Sequence, residues 1–418
     1  MRYGEKNGIK IIRLTSSMIP KKIFLIIPEF GYGGAEKSFS LLSVALAKKF
    51  DVSIIIFNKE NEATYPISGD VISLDIPASN NFFSKLFYFY LRIRRLKKIK
   101  KRIMPDVSIS FLEGADYINV LSKKNEKVIL SIRGSKFNDE NIIGITGWFR
   151  RYLLMPILYK KAHALVTVNN GIKKEMSKFI SPDKITTIYN GYDIEEIEFR
   201  AHEEIPIELS ELNSKNLIVS VGRLSPEKGF QHLLKVFKEV KLVNNSVKLV
   251  IVGSGNMDIE LIKLCKKLDL EYDARKLGFD KTKNPDVLFL GYSTNPLPIL
   301  KMASIFTLCS SAEGFPNALI EAMAIRVPVI STDCPYGPAE ILAGKLDKRV
   351  KGKVLNTKFG ILAPLFNEPN SINEWSRCII DLLDDHSRFN QLSQLGYERA
   401  KDFTSEELIS KWESIIVS

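Results

Sequence analysis

At 418 residues the chain is longer than one hydrophobic core usually serves, so two domains are expected, each burying a substantial interior. Its 45% hydrophobic content is ordinary for a globular protein, and 60 basic against 48 acidic residues give a net charge of +12, which favours an anionic partner: a nucleotide, a nucleic acid or a membrane surface. Four widely spaced cysteines without a CxxC, and four scattered histidines without an HExxH, argue against a disulfide framework or a metal site and suit reduced, cytosolic thiols. Met1 to Pro20 carries no export signal, and no window holds about eighteen apolar residues in a row, so no membrane span is expected.

In chain order, strand-like apolar runs alternate with amphipathic segments. Ile23–Ile27 is followed by a helix over about Glu36–Lys49 and a second strand at Val52–Phe57, the pattern of parallel α/β layers. Between the first strand and that helix lies Gly31-Tyr-Gly-Gly-Ala-Glu-Lys37, a glycine turn whose Gly33 and Gly34 allow close approach of phosphate or sugar to the backbone. The turn departs from GxGxxG, and no acid clearly ends the second strand, which argues against a dinucleotide-dependent dehydrogenase.

The stretch Phe82 to Arg102 joins an aromatic first half to nine cations. It reads either as a membrane-surface helix, worth about 1 kcal/mol per cation on anionic lipid, or as a helix that packs its aromatics and leaves a solvated basic end. No recognition motif accompanies it, so nucleic acid is not an expected partner. Further strands are expected at Val107–Phe111, Lys127–Ile132, Ala164–Val168 and Thr186–Asn190, where the first half closes.

After a charged, weakly periodic stretch between Asp193 and Ser214 the order restarts with strands at Leu217–Val221 and Val247–Val252. Two doubly wound domains are therefore expected at 1–200 and 205–390, facing each other over a cleft at the strand C-termini, with the final helix of residues 401–418 crossing back to the first. Gly222-Arg-Leu-Ser-Pro-Glu-Lys-Gly229 puts Arg223 and Lys228 above that cleft, a planar fork and a mobile point charge suited to a diphosphate. Gly253-Ser-Gly255 is a further strand-end turn where a nucleotide can approach.

The segment Glu313-Gly-Phe-Pro-Asn-Ala-Leu-Ile-Glu321 follows the strand Ile305–Cys309. Pro316 suits a first helical turn, which sets Glu313 in the loop, Glu321 inside the helix and the N–H groups of Asn317, Ala318 and Leu319 at the positive end of a helix dipole. Taken alone, Glu313 reads as a loop acid and Glu321 as a solvated helix position. Asp333 to Glu340, after a strand at Val327–Ser331, reads as a pocket wall in which Glu340 is structural or touches sugar.

Together these residues resemble glycosyltransferase family 4, retaining enzymes with two facing Rossmann-like domains, the GT-B fold. The resemblance runs nearly end to end and rests on Gly33-Gly34, Asn190-Gly191, Arg223 with Lys228, Gly253 to Gly255 and, above all, Glu313 with Glu321. It implies catalytic roles for Glu313 at the transferred sugar and for Arg223 and Lys228 at the diphosphate. It also implies a donor site built from Gly33, Gly34, Arg133, Asn190, Gly222, Gly253, Gly255, Gly314, Phe315, Pro316, Asn317 and, at the ribose, Glu321. Neither a cofactor nor a metal is implied. Several relatives carry a histidine where this chain has Ser131-Ile-Arg-Gly134, and Arg133, always protonated, cannot replace a base.

Cys334 to Glu340, with Asn295-Pro296, resembles the branch that builds bacterial surface polysaccharides on lipid carriers. That implies a UDP-linked hexose or N-acetylhexosamine donor, a polyprenyl diphosphate-linked glycan acceptor, and a cytoplasmic enzyme peripheral on the inner face of the plasma membrane, resting on an anionic surface through residues 82–102. The alternatives are a GDP-mannose-dependent mannosyltransferase, a UDP-sugar epimerase of the same fold, and a non-catalytic membrane scaffold.

Overall fold

The computed structural model describes residues 20–59, 63, 65–79, 81–137, 144–206, 209, 216–282, 285–344 and 350–418. The reading of Met1 to Pro20 falls almost wholly outside these residues, as do residues 207, 208 and 210–214 of the charged stretch.

Seven strands make the first sheet: β1 (Lys22–Ile26), β2 (Asp51–Ile56), β3 (Asp70–Ser73), β4 (Val107–Phe111), β5 (Lys127–Ile132), β6 (Ala164–Thr167) and β7 (Ile185–Thr187). All pairings are parallel, in the order β3-β2-β1-β4-β5-β6-β7. Parallel strands are covered on both faces, which is why β1 and β4 are nearly unbroken runs of apolar and small residues with almost no exposed surface.

The second sheet holds β8 (Leu217–Val221), β9 (Lys248–Val252), β10 (Tyr272–Asp273), β11 (Val287–Phe289), β12 (Ile305–Leu308), β13 (Val329–Thr332), β14 (Leu355–Asn356) and β15 (Ile361–Ala363). Its order is β10-β11-β9-β8-β12-β13-β15-β14; β14 pairs antiparallel with β15, and the other pairings between these strands are parallel. Strand order reverses between β1 and β4 in one sheet and between β8 and β12 in the other, and such reversals open a crevice at the strand C-termini.

The chain passes between the halves near Asn190–Tyr192, earlier than the expected 200–205. The helix Ile194–Arg200 already serves the second half: the Arg200 carbonyl accepts from Asn295 Nδ2 at 3.0 Å, and Glu198 pairs with Arg326 at 2.7 Å. At the far end, the helix His386–Lys401 stays with the second half, its Gly396 lying against Met323. The chain then returns: Tyr192 and Thr404 form a parallel bridge, and the helix Ser405–Val417 buries Leu408, Trp412 and Ile416 in the β1–β2–β4 core. Lys21 and Lys127 donate to the last carbonyls of that helix, Ile416 at 3.2 Å and Ile415 at 2.7 Å, where cations complement the dipole.

The basic, aromatic stretch forms one helix, Phe82–Ile103, capped by the Asn81 side chain. Its cations divide between core and surface. Lys100 is buried, 2.7 Å from Glu126 and 2.7 Å from Asn119 Oδ1; Arg92 donates to the carbonyls of Ile76 and Pro77, and Arg95 to that of Leu74. Phe82, Phe83, Leu86, Phe87 and Tyr90 stay exposed, a stripe at helical spacing.

On the helix Glu113–Leu121, Asp116 is wholly enclosed, accepting from Ser110 Oγ at 2.7 Å and Tyr159 OH at 3.0 Å. Burial pushes its carboxyl from 3.8 up to about 7. Between these values the unfolded chain releases this proton and the folded chain keeps it, so stability contributed here is lost as pH rises from about 4 to about 7. Asp116→Asn is expected to flatten that part of the stability–pH curve in urea denaturation, and an unchanged slope would contradict the assignment.

Candidate functional site

The crevice of the second sheet is built from the loops after β8 and β12. After β8, Gly222 leads to Arg223, and Pro226–Lys228 makes a single tight turn closed by Gly229 at φ +72°. A Cβ on Gly229 would lie 2.1 Å from the Cys309 carbonyl, so only glycine lets this turn rest on the end of β12. That contact delivers Lys228 to the neighbouring loop, where its Nζ meets Glu313 Oε1 at 2.6 Å; Ser310 Oγ donates to the same oxygen at 2.7 Å. Burial pulls the Lys228 ammonium down, but the adjoining Glu313 carboxylate more than offsets this and holds it above the usual lysine range. Arg223 stands exposed on the same turn and makes no ion pair with a described residue.

Gly253 and Gly255 have a reason of their own. A Cβ on either would lie within 2.3 Å of a carbonyl of the Gly222–Leu224 turn, and Leu224 N–H donates to the Ser254 carbonyl at 3.0 Å. They lock the loops after β8 and β9 together, which places the Arg223 turn. At Gly222 itself a side chain would meet only ordinary contacts, Phe230 at 3.6 Å and Lys228 at 3.7 Å, so no described protein atom requires glycine there.

Past Glu313 the chain turns into the helix Asn317–Ala324. Pro316 stands just outside it with ψ 106°, at the capping position rather than in the first turn, and its carbonyl takes the Leu319 N–H at 3.2 Å. The amides of Asn317 and Ala318 are what that terminus offers a ligand. Phe315 differs from the donor-contact expectation: its ring is buried between Tyr189 at 5.3 Å and Phe403 at 5.2 Å, because the crossing and returning chain segments need an apolar plug. Glu321 is only 4% exposed, which overturns the solvated reading. Its Oε1 takes an ion pair from Lys37 of the first half, a residue that sequence reasoning passed over although it ends the Gly31–Lys37 turn.

The first half closes directly on this loop. Asn317 Oδ1 accepts from Asn190 Nδ2 at 2.7 Å and Tyr192 OH at 2.6 Å, while its Nδ2 donates to the Gly34 carbonyl at 3.4 Å. Gly33 caps the helix Gly34–Leu46, and a Cβ on Gly34 would stand 3.2 Å from Asn317 Nδ2. Arg133 donates to Asn190 Oδ1, stacks over Phe111 at 5.3 Å, and is pulled down to about 10 by burial, still a cation at neutral pH. Its carbonyl is where a Cβ on Gly314 would fall, at 2.0 Å. Arg133 therefore braces the junction residue Asn190 within the seam. Glu340 bridges the halves as well, accepting from the N–H groups of Asn170 at 3.0 Å and Gly171 at 2.8 Å and from Tyr189 OH at 3.1 Å. That is the structural choice of its two readings.

The structure thus gathers Gly34, Arg133, Asn190, Gly314, Asn317 and Glu321 along one seam. Glu313, Lys228, Arg223 and Gly222 lie beside it at the β8–β12 reversal. Among the described residues, no group of three or more His, Cys, Asp or Glu side chains is placed to hold a metal ion.

Residues 32–196 match Glycosyltransferase Family 4, and residues 202–399 match Glycosyl transferases group 1. The chain belongs to glycosyltransferase family 4. Among its relatives, the N-acetylgalactosamine-N,N'-diacetylbacillosaminyl-diphospho-undecaprenol 4-alpha-N-acetylgalactosaminyltransferase of Campylobacter jejuni is 26% identical, over 92% of this chain and 96% of that protein. The amylovoran biosynthesis glycosyltransferase AmsD of Erwinia amylovora is 25% identical over 95% and 99%. In three dimensions the chain superposes on Anabaena HepE in complex with UDP-glucose with a TM-score of 0.72 at 16% identity, covering 95% of this chain and 99% of that one. That likeness shows the fold: this glycosyltransferase has the two facing Rossmann-like units of GT-B.

At Gly314 the loop before the helix Asn317–Ala324 meets the first half, where a Cβ would fall 2.0 Å from the Arg133 carbonyl. Gly314→Ala should wedge the seam open and lower transfer by about a hundredfold, the scale of a displacement near one ångström. Gly114→Ala, where an added Cβ meets nothing within 4 Å, should leave activity unchanged. Equal activity of both variants in a transfer assay would refute the close contact.

Proposed function

We propose that this glycosyltransferase moves a hexose or N-acetylhexosamine, with retention, from a UDP-sugar to a growing lipid-linked glycan of bacterial surface polysaccharide biosynthesis, such as O-antigen or capsule. The observation that carries the reading is the Glu313–Lys228 pair beside exposed Arg223 at the β8–β12 reversal. There, two cations face the seat of a diphosphate and one carboxylate faces the seat of a sugar. With Lys228 and Ser310 both on Oε1, Glu313 keeps its second oxygen for a sugar hydroxyl. Arg223, Lys228 and the amides of Asn317 and Ala318 stabilise the charge that grows on the β-phosphate as the anomeric C–O bond breaks. The acceptor hydroxyl attacks from the same face and gives its proton to the leaving phosphate oxygen, so neither glutamate acts as nucleophile. Glu321 accepts from the ribose hydroxyls. No cofactor or metal takes part in this scheme.

The UDP-glucose held by HepE supports a UDP donor, and the diphospho-undecaprenol named for the Campylobacter relative supports a polyprenyl diphosphate-linked acceptor. For such an acceptor the enzyme works at the inner face of the plasma membrane. No described helix is long and apolar enough to cross a membrane. The exposed stripe Phe82–Tyr90 and the cations that follow it suit an anionic surface, and Trp148, Phe149, Tyr152 and Ile157 add exposed apolar area on residues 144–159.

Single alanine variants of Glu313, Arg223 and Lys228 should each lower transfer by about two to three orders of magnitude, as loss of one charge-stabilising group does. Near wild-type turnover in all three would sink the reading. A panel of nucleotide sugars in a thermal-shift assay identifies the donor; stabilisation by GDP-mannose alone would replace the UDP assignment. Turnover of donor without acceptor and without release of nucleotide would point instead to epimerisation. For the membrane surface, charge reversal at Arg94, Lys97, Lys98 and Lys101 should weaken cosedimentation with anionic vesicles by roughly a hundredfold or more, at about 1 kcal/mol per cation. Unchanged binding would refute it.

A further inference from the structure

The ion pair between Lys37 and Glu321 joins residues 284 positions apart in the chain and crosses from one half of the enzyme to the other. Its two members are unequally placed: the Glu321 side chain is 5% exposed and that of Lys37 28%. A carboxylate so withdrawn from water needs a cation or strong donors beside it, and Lys37 supplies the cation. The ammonium approaches Oε1, which leaves Oε2 as a carboxylate acceptor. Lys37 is held in place in turn. It lies in the first turn of the helix capped by Gly33, and the Gly34 carbonyl of the same turn accepts from Asn317, one helical turn before Glu321.

We infer that Lys37 is a positioning residue for recognition of the donor's ribose: through Glu321 it presents a charged oxygen to the ribose hydroxyls. This rests on Glu321 being the ribose anchor. Lys37 comes from the half opposite Glu321, Glu313, Arg223 and Lys228, so the anchor is complete only when the two halves are closed. Nucleotide binding and closure then favour each other, because the ribose binds best to the form in which the pair is made.

The test uses the full-length chain and titration calorimetry with UDP, 2′-deoxy-UDP and 3′-deoxy-UDP, or the guanosine series if GDP gives the larger thermal shift. The wild type should prefer the ribonucleotide by about tenfold to a hundredfold over at least one deoxy form, the scale of a hydrogen bond to a charged group. Glu321→Ala should abolish that preference; if it persists, the ribose anchor itself is wrong. Lys37→Met should lose most of the preference, Lys37→Arg should restore it, and Lys37→Met added to Glu321→Ala should have no further effect. A merely structural lysine would weaken all three nucleotides alike. Full preference in Lys37→Met, alongside its loss in Glu321→Ala, would overturn the inference with the anchor intact. Tighter UDP binding by Lys37→Met would also overturn it, since Lys37 would then compete with the ribose. Should Lys37→Met not fold, Lys37→Gln, which keeps a neutral donor, carries the same expectation.

Discussion

A carboxylate taken out of water must be met by a cation or by a fan of N–H donors, and the cleft of this glycosyltransferase is assembled around that requirement. Glu313 is met by Lys228, Glu321 by Lys37, and Glu340 by the amides of Asn170 and Gly171. Each pairing performs a second task. The first brings the loops after β8 and β12 together, and the other two tie the second half to the first. The buried charges of the cleft thus also hold its loops and its two halves in register.

Those pairings depend on backbone approaching backbone more closely than a side chain allows. Gly229 rests on the Cys309 carbonyl, Gly314 on that of Arg133, and Gly253 on that of Gly222. A Cβ at any of the three would overlap a carbonyl oxygen, which cannot move aside as a flexible side chain can. Glycines that a motif reading assigns to ligand approach therefore also set the positions of charged groups one or two residues away. Gly222 is different, since nothing described crowds it. A side chain there would not conflict with the fold.

The helix Phe82–Ile103 applies the same electrostatic rule at the surface. Lys100 is enclosed with Glu126, and burial of its ammonium pulls it down to about 8, whereas Lys97 and Lys98 face solvent. Arg92 and Arg95 close carbonyls of the 74–77 segment. The cations left outside follow directly on the exposed aromatic stripe, so one amphipathic element contributes both to the core and to an outward face.

The sequence by itself determined the central layers. β1, β4, β5, β8, β9 and β12 are apolar runs because parallel strands are covered on both faces, and such runs are legible one residue at a time. The short β3, β10 and β14 were not legible, being edge strands of two to four residues, of which β3 and β14 are largely exposed. The spacing of Glu313 and Glu321 and the order of the glycine turns were enough to bring out the family resemblance. Only the tertiary structure decided which group answers each acid. Lys37 and Glu321 belong to different halves, and Phe315 turns into the core because the returning helix brings Phe403 against it. Periodicity and spacing act over a few residues, whereas desolvation and charge pairing are set by distance in space, so the partners of buried charges emerge only once the chain has closed on itself.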